Sequence, residues 1–299
     1  MAKCLLRGMP NSRSLKSVDI GGTAFGRPRN FLGNRFVYLV LSQRAKGLSI
    51  GVNVNPGKQC NFKCVYCEVD RTKIALDLAV EFPVLAGELE DMLRRVDQKT
   101  IRDLEGFRQW PAELLELKEV AISGDGEPTL SPQFADVLEE VVGLRYRSLF
   151  PFFKIVVLTN TAGLPLPNVR KGLRLLSKSD EIWVKLEAGT QEYMDKINVP
   201  DLKLTTVLEN IRDIARERPV VIQSLFPMIH GEEPSEAEIE QYVQRLQELK
   251  LAGAQISLVQ IYSSHRPPQR PGCSHLPLGT LSRIARHVRT AAGLNAEVF

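Results

Sequence analysis

Cysteine and histidine are scarce in this chain: five and four among 299 residues. An odd, unevenly spread set of five cysteines is not the framework of a disulfide-stapled secreted domain. No apolar run approaches the ~20 residues that a membrane-spanning helix needs. The opening segment, Met1 to Pro10, holds too short an apolar stretch for a secretory signal peptide. Low-complexity tracts, linkers and internal repeats are missing. So is a strong charge of either sign, since 39 basic and 35 acidic side chains leave 39 − 35 = +4. The dense basic patch of a dedicated nucleic-acid binder is absent. Arg283, Arg286 and Arg289, at i, i+3 and i+6, read as a solvated helix face. Together these absences lead to the expectation of a globular cytoplasmic protein in a reducing compartment, with no membrane partner.

What cysteine there is sits together. Cys60, Cys64 and Cys67 form a CX3CX2C run with Tyr66 just before the last cysteine. Three thiolates on one tight loop can hold three corners of an iron–sulfur cube and leave the fourth iron open for chemistry. Soft thiolates also suit zinc, but structural zinc takes four protein ligands, often as two CX2C-type pairs. Here only Cys64 and Cys67 make such a pair. His230, His265, His275, His287 and Cys273 lie far downstream. A cluster is the favoured reading, and zinc assembled in space is the alternative. Cys4 and Cys273 are read as structural.

The dominant rhythm is a short apolar strand followed by an amphipathic helix, the pattern of a parallel sheet with helices outside it. Six strands are expected, at 48–54, 119–123, 154–159, 181–187, 220–225 and 255–261. Six such units predict a partial (β/α)6 TIM-like barrel. Residues 1–47 form an N-terminal extension packed on it, and residues 48–299 form the barrel itself. Within the extension, residues 36–41 predict an extra strand hairpinned to the first. Ser131 with Pro132 predicts a helix start that Gly143 ends. Ser235 and Glu238 make a capping-box pattern. The long connection 73–118 reads as mostly helical, with Pro83 and Pro111 as breakers.

In such a fold the outer strand faces pack on helices, so polar strand residues belong inside or at the carboxyl ends. Alternation then maps the site. Ser49, Gly51, Asn53 and Asn55 face in from the first strand, and Trp183, Lys185 and Glu187 from the fourth. Gln223 and Gln260 are the matching positions on the fifth and sixth, where they either serve a ligand or bond each other.

The cysteine loop after the first strand resembles the signature of the radical S-adenosylmethionine (SAM) superfamily. The likeness extends from about Leu48 onward. The turn Ser123-Gly124-Asp125-Gly126-Glu127-Pro128 after the second strand resembles that family's Gly-Gly-Glu motif, with Asp125 as a departure. The resemblance implies that Cys60, Cys64 and Cys67 bind a [4Fe–4S] cluster whose open iron chelates SAM. It places Tyr66 near the adenine and the carboxylate of Glu127, with backbone from Gly124, Asp125 and Gly126, at the methionine amino group. It also brings Thr159, Asn160, Lys185, Glu187 and Gln260 near SAM. Some phrases look like a bacterial Fe–S oxidoreductase group distantly similar to tRNA wyosine-base synthetases.

The implied reaction is reductive cleavage of SAM to methionine and a 5′-deoxyadenosyl radical, which takes hydrogen from a substrate. That substrate is expected to be a small molecule or peptide. The electron comes from a one-electron reductant such as flavodoxin or ferredoxin. Tyr262, His265 and Arg266 are the expected substrate contacts, with 73–118 and 262–275 capping the open end. A radical SAM enzyme acting on tRNA is the alternative within enzymes. A non-catalytic zinc- or cluster-stabilised binding protein is the alternative of another class.

Overall fold

The computed structural model describes residues 28–71, 79–104, 107–147, 149–264, 268 and 271–299. The strands in chain order are β1 (Val37–Ser42), β2 (Gly47–Asn53), β3 (Leu117–Ser123), β4 (Lys154–Thr159), β5 (Glu181–Lys185), β6 (Val220–Leu225), β7 (Pro227–Ile229), β8 (Ile256–Tyr262), β9 (Cys273–His275) and β10 (Ala296–Val298). The helices are α1 (Phe82–Asp97), α2 (Phe134–Tyr146), α3 (Pro167–Leu173), α4 (Gln191–Ile197), α5 (Leu204–Glu217), α6 (Glu236–Leu251) and α7 (Leu278–His287). One eight-stranded sheet runs in the order β1-β2-β3-β4-β5-β6-β8-β10. β1 joins it antiparallel, as the expected hairpin, and the remaining pairs are parallel. Each parallel strand lies beside its predecessor, so the sheet curls into a half-barrel with helices outside and a lumen within.

Strand alternation gives this sheet its two faces. Leu48, Ile50 and Val52 on β2, and Ile182 and Val184 on β5, are fully buried in the core that the helices cover. Val156, Trp183 and Val221 form a separate apolar cluster on the opposite face, inside the lumen. The hairpin tip between β1 and β2 reaches the far edge of the sheet. Lys46 Nζ lies 3.3 Å from Glu297 Oε2 on β10, and the Arg44 guanidinium stands 4.5 Å over the Tyr262 ring.

Behind the sheet, Arg145 of α2 is forked onto Asp180 at 2.6 and 3.0 Å. Both side chains are buried. Asp180 also accepts from the backbone of Ile155 and Ser177 and from the Ser177 hydroxyl. This network ties the end of α2 to the start of β4 and β5.

All six expected parallel strands are present, and the structure adds three short ones. β10 extends the sheet by a seventh parallel strand, while β7 and β9 pair as an antiparallel ribbon. At three residues each they are too short for alternation to register. Helix limits also shift. Pro83 sits in the first turn of α1, where its missing N–H costs nothing, so it starts that helix instead of breaking the segment. Ser131 caps a short 3-10 turn, α2 begins at Phe134, and it runs through Gly143 to Tyr146. Ser235 caps α6 as expected, but Glu238 reaches across to Gly189 and Thr190 instead of back to Ser235.

Candidate active site

The cysteine loop leaves the carboxyl end of β2 and is held from two sides. On one side Glu127 N donates to Gln59 O at 2.8 Å. Asn55 completes this junction, its Nδ2 donating to Gln59 O and Glu127 O and its Oδ1 accepting from Gln59 N. On the other side Lys63 N and Val65 N donate to Asn198 O and Ile197 O after α4. The cysteine loop and the Gly124–Glu127 turn therefore pack backbone to backbone. Gly126 makes that possible, because an added Cβ would fall inside contact distance of Gln59 O and 2.7 Å from Asn55 Cγ. Gly124 holds φ +136° and lies against Asn53.

Cys60, Cys64 and Cys67 are free thiols, partly buried, and line one cavity of about 610 Å3. Each sulfur has an N–H donor beside it. Phe62 N lies 3.4 Å from Cys60 Sγ, Asn198 Nδ2 3.4 Å from Cys64 Sγ, and Arg71 Nη2 3.7 Å from Cys67 Sγ. Such donors favour thiolate and cluster sulfur alike. Burial pushes the Cys64 thiol up to about 11, so metal loading must displace its proton. Among the described residues no three His, Cys, Asp or Glu side chains converge on a single-ion position.

The same cavity receives Tyr66, Gly124, Gly126, Glu127, Thr159, Asn160 and Lys185. The Glu127 carboxylate is already engaged. It accepts from Thr129 N, Thr129 Oγ1, Thr159 Oγ1 and Asn160 N. Thr159 thus serves Glu127, and Asn160 reaches Asn61 at 2.8 Å beside Cys60. This carboxylate braces the turn, while its backbone and the flanking glycines present the turn to the cavity.

Tyr66, Lys185, Glu187 and Asn198 form a second cluster below the loop. Tyr66 donates its phenol to Glu187 Oε2, which also takes Asn198 Nδ2 at 2.6 Å. Lys185 Nζ lies 3.4 Å from the Tyr66 hydroxyl and 5.3 Å over its ring. Burial opposes the Lys185 ammonium, but Glu187 and Cys64 outweigh it and raise its pKa above the ordinary lysine value. Glu187 Oε1 is buried with no hydrogen-bond partner among the described residues, beside a small hollow that adjoins the site.

Three expected residues stand back from the cavity. Asp125 accepts from Asn53 at 2.9 Å, Glu187 lines a small adjoining hollow, and Gln260 accepts from Gln223 at 3.1 Å. Gln223 itself lines the main cavity, as do Ser49, Trp183 and Tyr262. Cys4, His265 and Arg266 lie outside the described residues. Sequence reasoning placed Asn55 on the inner side but missed Arg71, Asn198, Glu119 and Arg44. Arg71, four residues past Cys67, had a positional signal. Asn198 stands in the turn after a short helix with no motif to mark it.

The family described as Radical SAM superfamily matches residues 54–246. A UPF0026 protein of Synechocystis sp. is 28% identical over 184 residues, 60% of each chain. The chain thus spans less than two thirds of that relative. A radical SAM methyltransferase from Sphaerobacter thermophilus superposes with a TM-score of 0.60 at 15% identity, covering 88% of this chain and 68% of the other. A structure of TYW1 with a lysine–pyruvate adduct bound gives 0.51 at 17% identity, over 82% and 73%. At these identities the two structures speak for the fold alone.

Proposed function

The chain belongs to the radical SAM superfamily, and from that premise we propose that it is an enzyme that uses a [4Fe–4S] cluster and SAM to take a hydrogen atom from an organic substrate. Cys60, Cys64 and Cys67 would hold the cluster through thiolates, with Phe62 N, Asn198 and Arg71 donating to their sulfurs. When bound, these groups would supply reductive cleavage of the SAM carbon–sulfur bond, giving methionine and a 5′-deoxyadenosyl radical.

The chain's own residues bind and orient. SAM carries an ammonium, a carboxylate and ribose hydroxyls. The protonated Lys185 suits a carboxylate, and Glu187 holds Tyr66 and Asn198 in place behind it. The Gly124–Glu127 turn, braced by the Glu127 carboxylate, offers backbone at close approach. Tyr66 supplies an aromatic face. The observation that carries the reading is the convergence of three donor-flanked thiols, the Gly124–Glu127 turn and the Lys185 ammonium on one cavity. The electron would come from a flavodoxin- or ferredoxin-type protein in the cytoplasm. The cavity's size fits a small molecule or one residue of a peptide.

Anaerobic loading with iron and sulfide tests this. The expected result is about four irons and four sulfides per chain and saturable SAM retention in equilibrium dialysis. A protein that retains a single zinc, or that binds no SAM once loaded, overturns the reading.

A further inference from the structure

Away from the cysteine loop, the lumen holds two charged groups, Glu119 and Arg44, close enough for Arg44 to favour the Glu119 carboxylate, yet each with a buried polar atom that makes no hydrogen bond among the described residues. Glu119 lies on the inner face of β3, four residues before Ser123. At about 3.3 Å per residue, that is about 13 Å below the turn that carries Gly124 to Glu127. Glu119 is 2% exposed and lines the cavity. Its Oε1 accepts from Ser49 Oγ at 3.1 Å, but its Oε2 is buried with no donor among the described residues. The nearest strand neighbour able to help is Lys154, and that ammonium is committed to Glu181 at 3.0 Å. Burial accordingly raises the Glu119 pKa.

Arg44, at the tip of the β1–β2 hairpin, lines the same cavity. Its guanidinium stacks on Tyr262 at 4.5 Å. Its Nε is buried without an acceptor, and it makes no ion pair among the described residues. Several other buried carboxylates are fully engaged: Asp180 has Arg145, Glu127 has four donors, and Glu238 has Gly189 and Thr190; among the described residues the other buried carboxylate oxygen left without a donor is Glu187 Oε1, below the cysteine loop. A carboxylate oxygen and a guanidinium nitrogen, both buried without partners among the described residues and both in one cavity, are groups that a ligand would satisfy. Trp183 and Ala121 line the same lumen and suit an apolar body. A volume of about 610 Å3 has room for SAM and a small second molecule, not for an enclosed polymer.

We propose that this floor of the cavity binds a small zwitterion of amino-acid type, its ammonium on Glu119 and its carboxylate on Arg44. The proposal rests on the radical SAM reading of the same cavity and names the substrate class for it. A substrate so anchored at both charged ends presents its side chain upward, toward the cysteine loop.

Calorimetric titration of the cluster-loaded full chain with the twenty L-amino acids tests this, followed by the best binder's decarboxylated amine and its deaminated acid. At least one amino acid is expected to bind, with the amine and the acid each about tenfold or more weaker. Glu119→Gln should abolish the preference for the zwitterion over the acid. Arg44→Met, at a partly exposed hairpin tip, should abolish the preference over the amine. SAM affinity should stay the same in both variants. A protein that binds SAM but no amino acid overturns this proposal alone, as do variants that bind the amino acid as tightly as the parent. A loaded protein that binds no SAM overturns the radical SAM reading, and the amino-acid titration is then read on the unloaded chain.

Discussion

A methyl group at Gly126 should separate the two turns on which the site depends. The Gly126 backbone is not in the left-handed region, so alanine meets no torsional objection and its cost is steric. The new Cβ would intrude on Gln59 O and stand 2.7 and 2.8 Å from Asn55 Cγ and Nδ2, where real Cβ contacts essentially never come under 3.0 Å. The obstacles are a backbone oxygen and the amide that braces it, so neither can swing away cheaply. Relief requires the Gln59 and Glu127 segments to part, stretching the 2.8 Å bond between Glu127 N and Gln59 O and the Asn55 bonds to both. Overpacking of this kind costs about 1–3 kcal/mol, and each buried hydrogen bond lost adds about 1 kcal/mol. Gly126→Ala should therefore destabilise by about 2–4 kcal/mol, and SAM affinity should fall because its cradle has moved. Gly87→Ala is the control. That position lies in α1 with nothing within 4 Å of the added methyl, so it should stabilise by about 0.5–1 kcal/mol. Urea denaturation and SAM dialysis on both variants provide the assay. Gly126→Ala with the parent's midpoint and SAM affinity would refute the packing argument.

Removing the buried partner of Arg145 by Asp180→Ala should cost about 3–5 kcal/mol at pH 7, because a buried guanidinium is left unpaired. Burial alone would raise the Asp180 pKa, but Arg145 and the Ile155 and Ser177 donors outweigh it and lower it. The contribution is thus present above the unfolded value of about 3.9 and is lost as pH falls through the folded one. The gap between the urea midpoints of parent and variant should narrow as pH falls below about 3.9, and a gap that widened there would contradict this reasoning. Asn198→Ala removes the donor to Cys64 Sγ and one of the donors to Glu187. An EPR-monitored redox titration of the loaded protein should then show a more negative cluster potential; an unchanged potential argues that the 3.4 Å approach is idle. Cys273→Ser should leave the iron content at the parent's value, and a drop would make Cys273 a ligand.

The sheet was legible because each inner strand buries one face against helices and turns the other to the lumen. Leu48, Ile50 and Val52 against Ser49 and Gly51 carry that contrast within five residues. β7, β9 and β10 are too short to show any period. Pro83 misled because the same ring that breaks a helix interior also opens one. In the site, the three cysteines and the glycine turn could be read locally, since chemistry and backbone approach fix their spacing. The role of Glu127 could not. Its four donors come from Thr129, Thr159 and Asn160, partly across another strand, and they make the carboxylate a brace. Asn198 and the Glu119–Arg44 pair were hidden for the same reason. Their meaning lies in what stands opposite them in the curled sheet, and that register is set by tertiary closure.

The account rests most heavily on Cys60, Cys64 and Cys67 together enabling SAM cleavage. The decisive measurement is 5′-deoxyadenosine released by the iron- and sulfide-loaded protein after anaerobic reduction with dithionite in the presence of SAM. The parent chain should release 5′-deoxyadenosine and methionine in equal amounts, and Cys64→Ala should release neither. A fully loaded parent that releases none, or a Cys64→Ala variant that releases as much as the parent, would contradict it.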